Sequence, residues 1–380
     1  MNPPIDGFCD PKFARLKDAF AENFGSRGEP GAAVALSIHG RVVADLWGGW
    51  QDAERVKPWR GETIVNFFSV SKALCTIVLL RLAERGRLDL DAPVARVWPE
   101  FAGAGKEAVT TRQILSHRAG LPSIRDPLAE GAALDWKRMT RALAQQEPWW
   151  EPGAAHGYHV NTFGFLVGEI VRRIDGRTIG TALREDVAHP LDADVHIGLP
   201  TGENSRVAEF LWPKIPSATQ AMPGSDDPMR YNAYWNPPGI SGGGWVNRPE
   251  WRQAEIPSTN GHGSARGVAR VYAALTNGGA VDRIRILESD TLKAATIEHS
   301  CGHDLINQRP SRFGLGFQLT QPERPLGPNP AAFGHFGAGG SLGFCDPESG
   351  VAFGYVTNDM GPRWQNPRNK ALIDAVYACL

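Results

Sequence analysis

The sequence predicts an α+β protein: an antiparallel sheet flanked by helices, with a mostly helical region inserted between the two halves of the sheet. Three observations carry this. Apolar runs joined by short turns, the pattern of β-hairpins, occur near both ends of the chain. Helical periodicity dominates the middle. Nowhere do strands and helices alternate in the βαβ order of a parallel sheet. The 380 residues are 42% hydrophobic, enough to bury a substantial core and too many for one minimal domain. We therefore expect residues 1–72 and 264–380 to form a discontinuous sheet domain and residues 73–263 a mostly helical domain with long loops. The active site is expected between them.

In chain order, Phe13, Leu16, Phe20 and Phe24 stand at helical spacing over 12–24. Residues 32–38 and 42–48 are two apolar runs joined by His39-Gly40-Arg41, a hairpin signal. A helix follows over 71–85, with Gly86 placed to end it. Thr110 and Gln113 form a capping box for a short helix through Leu115, and a further helix is expected over 130–145. The clearest amphipathic helix is 162–175, where Phe163, Leu166, Val167, Ile170, Val171 and Ile174 line one face and Gly176 closes it. Residues 200–262 are rich in Pro, Gly and Trp and read as long loops with little regular structure. Ser264 caps a helix carrying Val268, Val271, Tyr272 and Leu275. Strands are expected at 313–320, 341–345 and 351–357, the last two joined by a five-residue turn, and a final helix at 367–378.

Composition excludes several classes. The formal net charge is -1 and no Lys/Arg-rich run occurs, so neither nucleic acid nor an anionic membrane is an expected partner. No apolar stretch approaches the roughly 20 residues that a bilayer span needs. The first residues carry no basic and apolar leader pattern, so the expected address is cytoplasmic. Five scattered cysteines without a CxxC suggest neither a disulfide framework nor a zinc knuckle, and no cofactor is expected. Several of the twelve Trp residues fall in loops, Trp149, Trp150, Trp235 and Trp245 among them; we expect Trp235 to line the pocket.

Ser69-Val70-Ser71-Lys72 begins the 71–85 helix, where positions i and i+3 share a face. A lysine amine kept neutral by burial and by the positive end of the helix can take a proton from the serine hydroxyl. The same helix start offers backbone N–H groups to an oxyanion. Tyr158, in Gly157-Tyr158-His159-Val160-Asn161, is a candidate general base if a cation such as Lys72 lowers its pKa. Asn161 precedes the 162–175 helix and reads as its N-cap, beside the pocket. Further along, Gly334-His335-Phe336-Gly337-Ala338-Gly339-Gly340 leads into a strand, and its glycines let backbone pass close to a ligand.

Ser69-x-x-Lys72, Tyr158 and His335-x-Gly337, in that order, resemble the three motifs of class C β-lactamases, penicillin-binding proteins and the family VIII carboxylesterases. Residues 114–122, 257–263 and 339–347 are also similar, so the likeness runs roughly from 30 to 378. The resemblance implies a β-lactamase/transpeptidase-like fold and a covalent acyl-enzyme on Ser69, with Tyr158 and Lys72 sharing the proton. It also implies an oxyanion hole of the Ser69 and Ala338 N–H groups, and a pocket including His335, Gly337 and Asn161. Two departures favour small esters over β-lactams. The Tyr-x-Asn of the lactamases is altered, with Val160 in the Asn position. Their Lys-Thr/Ser-Gly lysine is replaced by His335, mostly neutral at pH 7.

Competing readings differ in kind. Gly339-Gly340-Ser341-Leu342-Gly343 matches the G-x-S-x-G of α/β-hydrolases, but that fold needs a histidine after its serine, and the last histidine is His335. His156-x-x-His159 and His299-x-Cys301-x-His303 are the best metal candidates, without an HExxH. Amidase, D-peptidase or weak β-lactamase activity would use the same machinery, and a catalytically silent binding protein of this fold is the alternative outside enzymes.

Overall fold

In the computed structural model, which describes residues 5–212, 224–362 and 364–380, nine antiparallel strands form one sheet. They are β1 Ile5–Cys9, β2 Gly31–Ile38, β3 Arg41–Gly49, β4 Ser300–Asp304, β5 Arg309–Phe313, β6 Gln318–Leu319, β7 Phe333–Phe336, β8 Leu342–Asp346 and β9 Val351–Thr357. Their spatial order is β1-β3-β2-β9-β8-β7-β6-β5-β4. The two ends of the chain join where β2 pairs with β9, from Val351 opposite Ile38 to Thr357 opposite Ala32.

Alternation along the central strands sends side chains to two different cores. Ala32, Val34 and Leu36 of β2, with Val351, Phe353 and Tyr355 of β9, pack against helices α1 (Ala14–Gly25) and α6 (Pro367–Tyr377) through Phe13, Leu16, Phe20, Leu372 and Val376. Between them, Ala33, Ala35, Ala352 and Val356 face the larger core. Small residues there admit a helix closely: a Cβ on Gly354 would stand 2.2 Å from the Ala265 carbonyl, and one on Gly343 would stand 2.2 Å from the Tyr272 ring. That helix is α5, Ala265–Thr276, capped by Ser264. The middle of the chain supplies α2 Ser71–Glu84, α3 Trp136–Gln145 and α4 Thr162–Asp175, whose apolar faces share the larger core. No helix among the described residues is long and apolar enough to cross a membrane.

Most expected elements stand where periodicity placed them; the differences have local causes. The edge strand β1 and the strand β4 lack a recognisable alternation. The single strand expected at 313–320 is two strands around a turn, because Gly316, at φ 71°, reverses the chain. The helix expected from 130 starts at Trp136, where the Asp135 side chain caps it. The stretch 200–262 holds more structure than expected: a 3-10 helix at Thr201–Arg206 and helices at Pro228–Trp235 and Pro249–Gln253. Each helix starts with proline, a first-turn residue that lacks the apolar periodicity by which helices are read. The part of that expectation falling on 213–223 lies outside the described residues.

Candidate active site

Ser69 sits in a 3-10 turn, Phe68–Val70, that runs directly into the helix Ser71–Glu84. The preceding Phe68 is left-handed at φ 50°, a conformation that bulky residues rarely adopt and that surrounding contacts must hold. Those contacts are on the neighbouring strand. Phe67 N–H donates to the Gly261 carbonyl at 2.9 Å, Gly261 N–H donates to Ser71 Oγ at 3.1 Å, and Ser71 Oγ in turn donates to the Phe68 carbonyl. Ser69 retains 8% exposure.

One helical turn on, Lys72 is fully buried, its Nζ 3.1 Å from Ser69 Oγ. Its other neighbours are the carbonyls of Val160 at 2.7 Å and Ser258 at 3.2 Å. Burial therefore drives its pKa well below the ordinary lysine value.

Tyr158 is 1% exposed, with Lys72 Nζ 4.7 Å from its ring centre. Its ring stacks on Phe313 at 5.8 Å and meets Trp364 edge-on at 5.0 Å. Burial pushes the phenol well above its usual pKa; the nearby Ser69 pulls the other way, but no hydrogen bond of good geometry reaches the hydroxyl among the described residues. A tyrosine pKa lowered by a lysine cation was expected; the shift runs the other way, since the same desolvation lowers the Lys72 pKa and raises that of Tyr158.

His335 lies 6.1 Å from Tyr158, ring centre to ring centre. Its Nδ1–H donates to the Phe336 carbonyl at 2.7 Å, and burial, with Lys72 nearby, lowers its pKa to about 3. Gly337 brings this strand against the serine turn: a Cβ there would stand 2.2 Å from the Phe67 carbonyl. Ala338 then opens a 3-10 turn, Ala338–Gly340. Ser69 and Ala338 both lie in the first residues of short helical turns, whose N–H groups have no acceptor inside the turn.

Two expected pocket residues make contacts that the sequence did not foretell. Trp235 lines a separate surface hollow of about 340 Å³ with Tyr231, Pro238, Trp245 and Arg248, because it is Ala233 and Tyr234 of its helix that pack toward Tyr158. Asn161 occupies the N-cap position without capping. Its Nδ2 donates to the Ala233 carbonyl at 2.8 Å and to Ser241 Oγ at 2.9 Å, while Thr259 Oγ1 donates to its Oδ1 at 2.5 Å. It ties three loops together behind Lys72.

Asp304 is a residue that motif reading missed. Fully buried, it accepts from Tyr158 N–H at 3.0 Å, from Ile306 and Asn307 N–H, and from Ser311 Oγ at 2.9 Å, which also contacts His156 Nε2 at 2.9 Å. An Asp two and three residues before the N–H groups it accepts from is an Asx turn, a legible signal for the turn though not for its hold on Tyr158.

The competing motifs have structural explanations. Ser341 is fully buried, and its Oγ accepts from Thr357 N–H at 3.3 Å. Both ring nitrogens of His159 are engaged, with Leu121 N–H at 3.1 Å and the Gly157 carbonyl at 2.7 Å. Among the described residues no three His, Cys, Asp or Glu side chains converge to hold a metal.

The sequence matches the beta-lactamase family over residues 16–378. It is 35% identical to the esterase/beta-lactamase LipL of Mycobacterium tuberculosis, over 93% of this chain and 83% of that protein. The structure is similar to that of a family VIII carboxylesterase, with a TM-score of 0.92 and 41% identity over 99% of this chain and 100% of the other. It is also similar to a penicillin-binding protein homologue from Caulobacter crescentus, with a TM-score of 0.91 and 43% identity over the same shares, 99% and 100%.

Proposed function

The chain belongs to the beta-lactamase family, and on that footing we propose that it is a serine esterase, cleaving small esters through a covalent acyl-enzyme on Ser69. The observation that carries the reading is the 3.1 Å approach of a buried lysine amine, its pKa lowered by burial, to the serine hydroxyl. Nζ donates to Ser69 Oγ and to the Val160 and Ser258 carbonyls. On losing a proton it keeps two donors for the carbonyls and turns a lone pair to the Ser69 O–H.

Ser69 Oγ attacks the ester carbonyl as its proton passes to Lys72. The oxyanion forms facing the N–H groups of Ser69 and Ala338. Tyr158, a phenol beside Ser69, protonates the departing alkoxide and recovers a proton from the lysine ammonium. Water then repeats the sequence on the acyl-enzyme and releases the acid. His335, with a pKa of about 3, carries no charge with which to hold the carboxylate of a β-lactam, which favours plain esters. Phe210 and Trp212 meet the Phe68 ring edge-on, and Tyr234 packs near Tyr158, so aromatic walls from the 200–262 segment border the serine and suit short acyl chains. Five unpaired cysteines fit a reducing, cytoplasmic compartment.

Hydrolysis of p-nitrophenyl butyrate by the wild type, Ser69→Ala and Ser341→Ala tests this. Loss confined to Ser69→Ala is expected; loss confined to Ser341→Ala, or an inactive wild type, overturns the reading. A rate that climbs steadily from butyrate to laurate would refute the short-chain preference.

A further inference from the structure

The turn that carries Ala338 N–H is gripped from outside by the start of helix α6. Gly339 and Gly340 are left-handed, at φ 82° and 115°, so the turn depends on its hydrogen bonds for its shape. Gly337 N–H donates to the Ser341 carbonyl at 2.7 Å, and Gly340 N–H donates to the Gly337 carbonyl at 3.2 Å. From α6, Asn366 Nδ2 donates to the Gly339 carbonyl at 3.0 Å and Asn369 Nδ2 donates to the Gly340 carbonyl at 2.9 Å.

These bonds link two peptide planes of the turn, with one plane between them. In a trans peptide the C=O and N–H point in opposite directions. The plane between Gly339 and Gly340 has its carbonyl on Asn366 and its N–H on the Gly337 carbonyl. The plane between Gly337 and Ala338 has that carbonyl fixed, so its own N–H, that of Ala338, points away from the turn. Chains of hydrogen bonds also polarise one another, which strengthens the last donor. We propose that Asn366 is a positioning residue for the oxyanion hole: through these two planes it aims the Ala338 N–H that Ser69 chemistry needs. Asn369 steadies the next carbonyl. The inference rests on the oxyanion role given to Ala338 above.

Asn366 is also the N-cap of α6, its Oδ1 accepting from Arg368 N–H at 3.0 Å and Asn369 N–H at 3.3 Å. Asn366→Asp keeps that cap and removes the Nδ2 donor to the Gly339 carbonyl, leaving there the Gly361 N–H at 3.2 Å; Asn366→Ser keeps a capping hydroxyl on a shorter arm. Ala338→Pro deletes the N–H itself in a place that accepts proline, at the first position of a helical turn after an extended Gly337 (φ -101°, ψ 160°).

The experiment compares kcat and KM for p-nitrophenyl butyrate with the inhibition constant of butylboronic acid, whose tetrahedral serine adduct places an oxygen in the hole. In Asn366→Asp and Asn366→Ser we expect kcat to fall and boronate binding to weaken together, by about 10- to 100-fold, with KM moving less than about threefold. If Ala338→Pro loses activity while both Asn366 variants keep kcat and boronate affinity within about twofold, Asn366 is a helix cap only and the inference falls. If Ala338→Pro itself retains wild-type kcat, the oxyanion reading fails, and the inference with it.

Discussion

Two places in the molecule bury a group that is ordinarily charged, and they differ in what surrounds it. Beneath Ser69, Lys72 faces a hydroxyl and two carbonyl oxygens. Across the sheet, Glu29 is equally buried, but Arg368 meets it at 3.1 Å, Thr357 Oγ1 donates to it at 2.5 Å and the Tyr355 hydroxyl donates to it as well. Arg368 is shared with Asp359 at 3.0 Å. Desolvation acts on both places. At Lys72 it goes unanswered and lowers the pKa; at Arg368 the carboxylates outweigh it and raise the pKa. Burial without a countercharge lowers the pKa of a cation, whereas burial with one yields a brace between two distant stretches of chain.

The largest effect should come from removing the base. Lys72→Met keeps the bulk but cannot accept a proton, and kcat/KM should drop on the order of 10³-fold or more. Its unfolding midpoint in urea should move far less than that of Arg368→Ala; a lysine variant that unfolded the protein would break the comparison.

Arg368→Ala leaves the Glu29 carboxylate buried without its cation, and we expect about 3–5 kcal/mol of destabilisation. Adding Glu29→Gln to Arg368→Ala should restore more than half of the loss, since a neutral amide still accepts from one of the two hydroxyls and donates to the other. Urea denaturation of the single and double variants measures this, and an absence of recovery would show that the charge is not what matters there.

The most gradual effect is on pH. His335, His262 and His159 have pKa values lowered by burial to about 3, 3 and 4, against about 6.5 in an unfolded chain. The unfolded state therefore binds more protons below that value. The stability that comes from keeping these rings neutral is complete above about pH 6.5 and declines as pH falls toward their folded pKa values, by at most about 1.4 kcal/mol per pH unit for each ring. Glu29 and Glu255, raised by burial, act with the opposite sign, but His117, His156 and His299 are lowered as the three rings are, so the histidines are in the majority. Urea midpoints between pH 7 and pH 5 should decrease steadily; a flat profile would mean that these rings are solvated or already charged.

The Ser69–Lys72 pair stood out as a local i, i+3 pattern, Tyr158 joined it through the family resemblance, and the two hairpins were legible from alternation. Asp304 was not, since its bond to Tyr158 N–H spans 146 residues of chain. Trp235 was misplaced because a helix hidden by its proline start decides which of its aromatic residues turns inward. Asn161 was misread as a cap because its partners, Ala233, Ser241 and Thr259, are distant in sequence.

The sequence by itself determined the fold class, the order of the elements and the pairing of Ser69 with Lys72 on one helical turn, since periodicity and i, i+3 spacing are properties of a few consecutive residues. Tertiary structure alone decided the directions of the pKa shifts and the hydrogen bonds that shape the Gly337–Ser341 turn. Both depend on which distant strands exclude water from Lys72, Tyr158 and His335, and on which distant side chains hold the Gly337–Ser341 turn. Desolvation and hydrogen-bond direction come into being only when those segments meet.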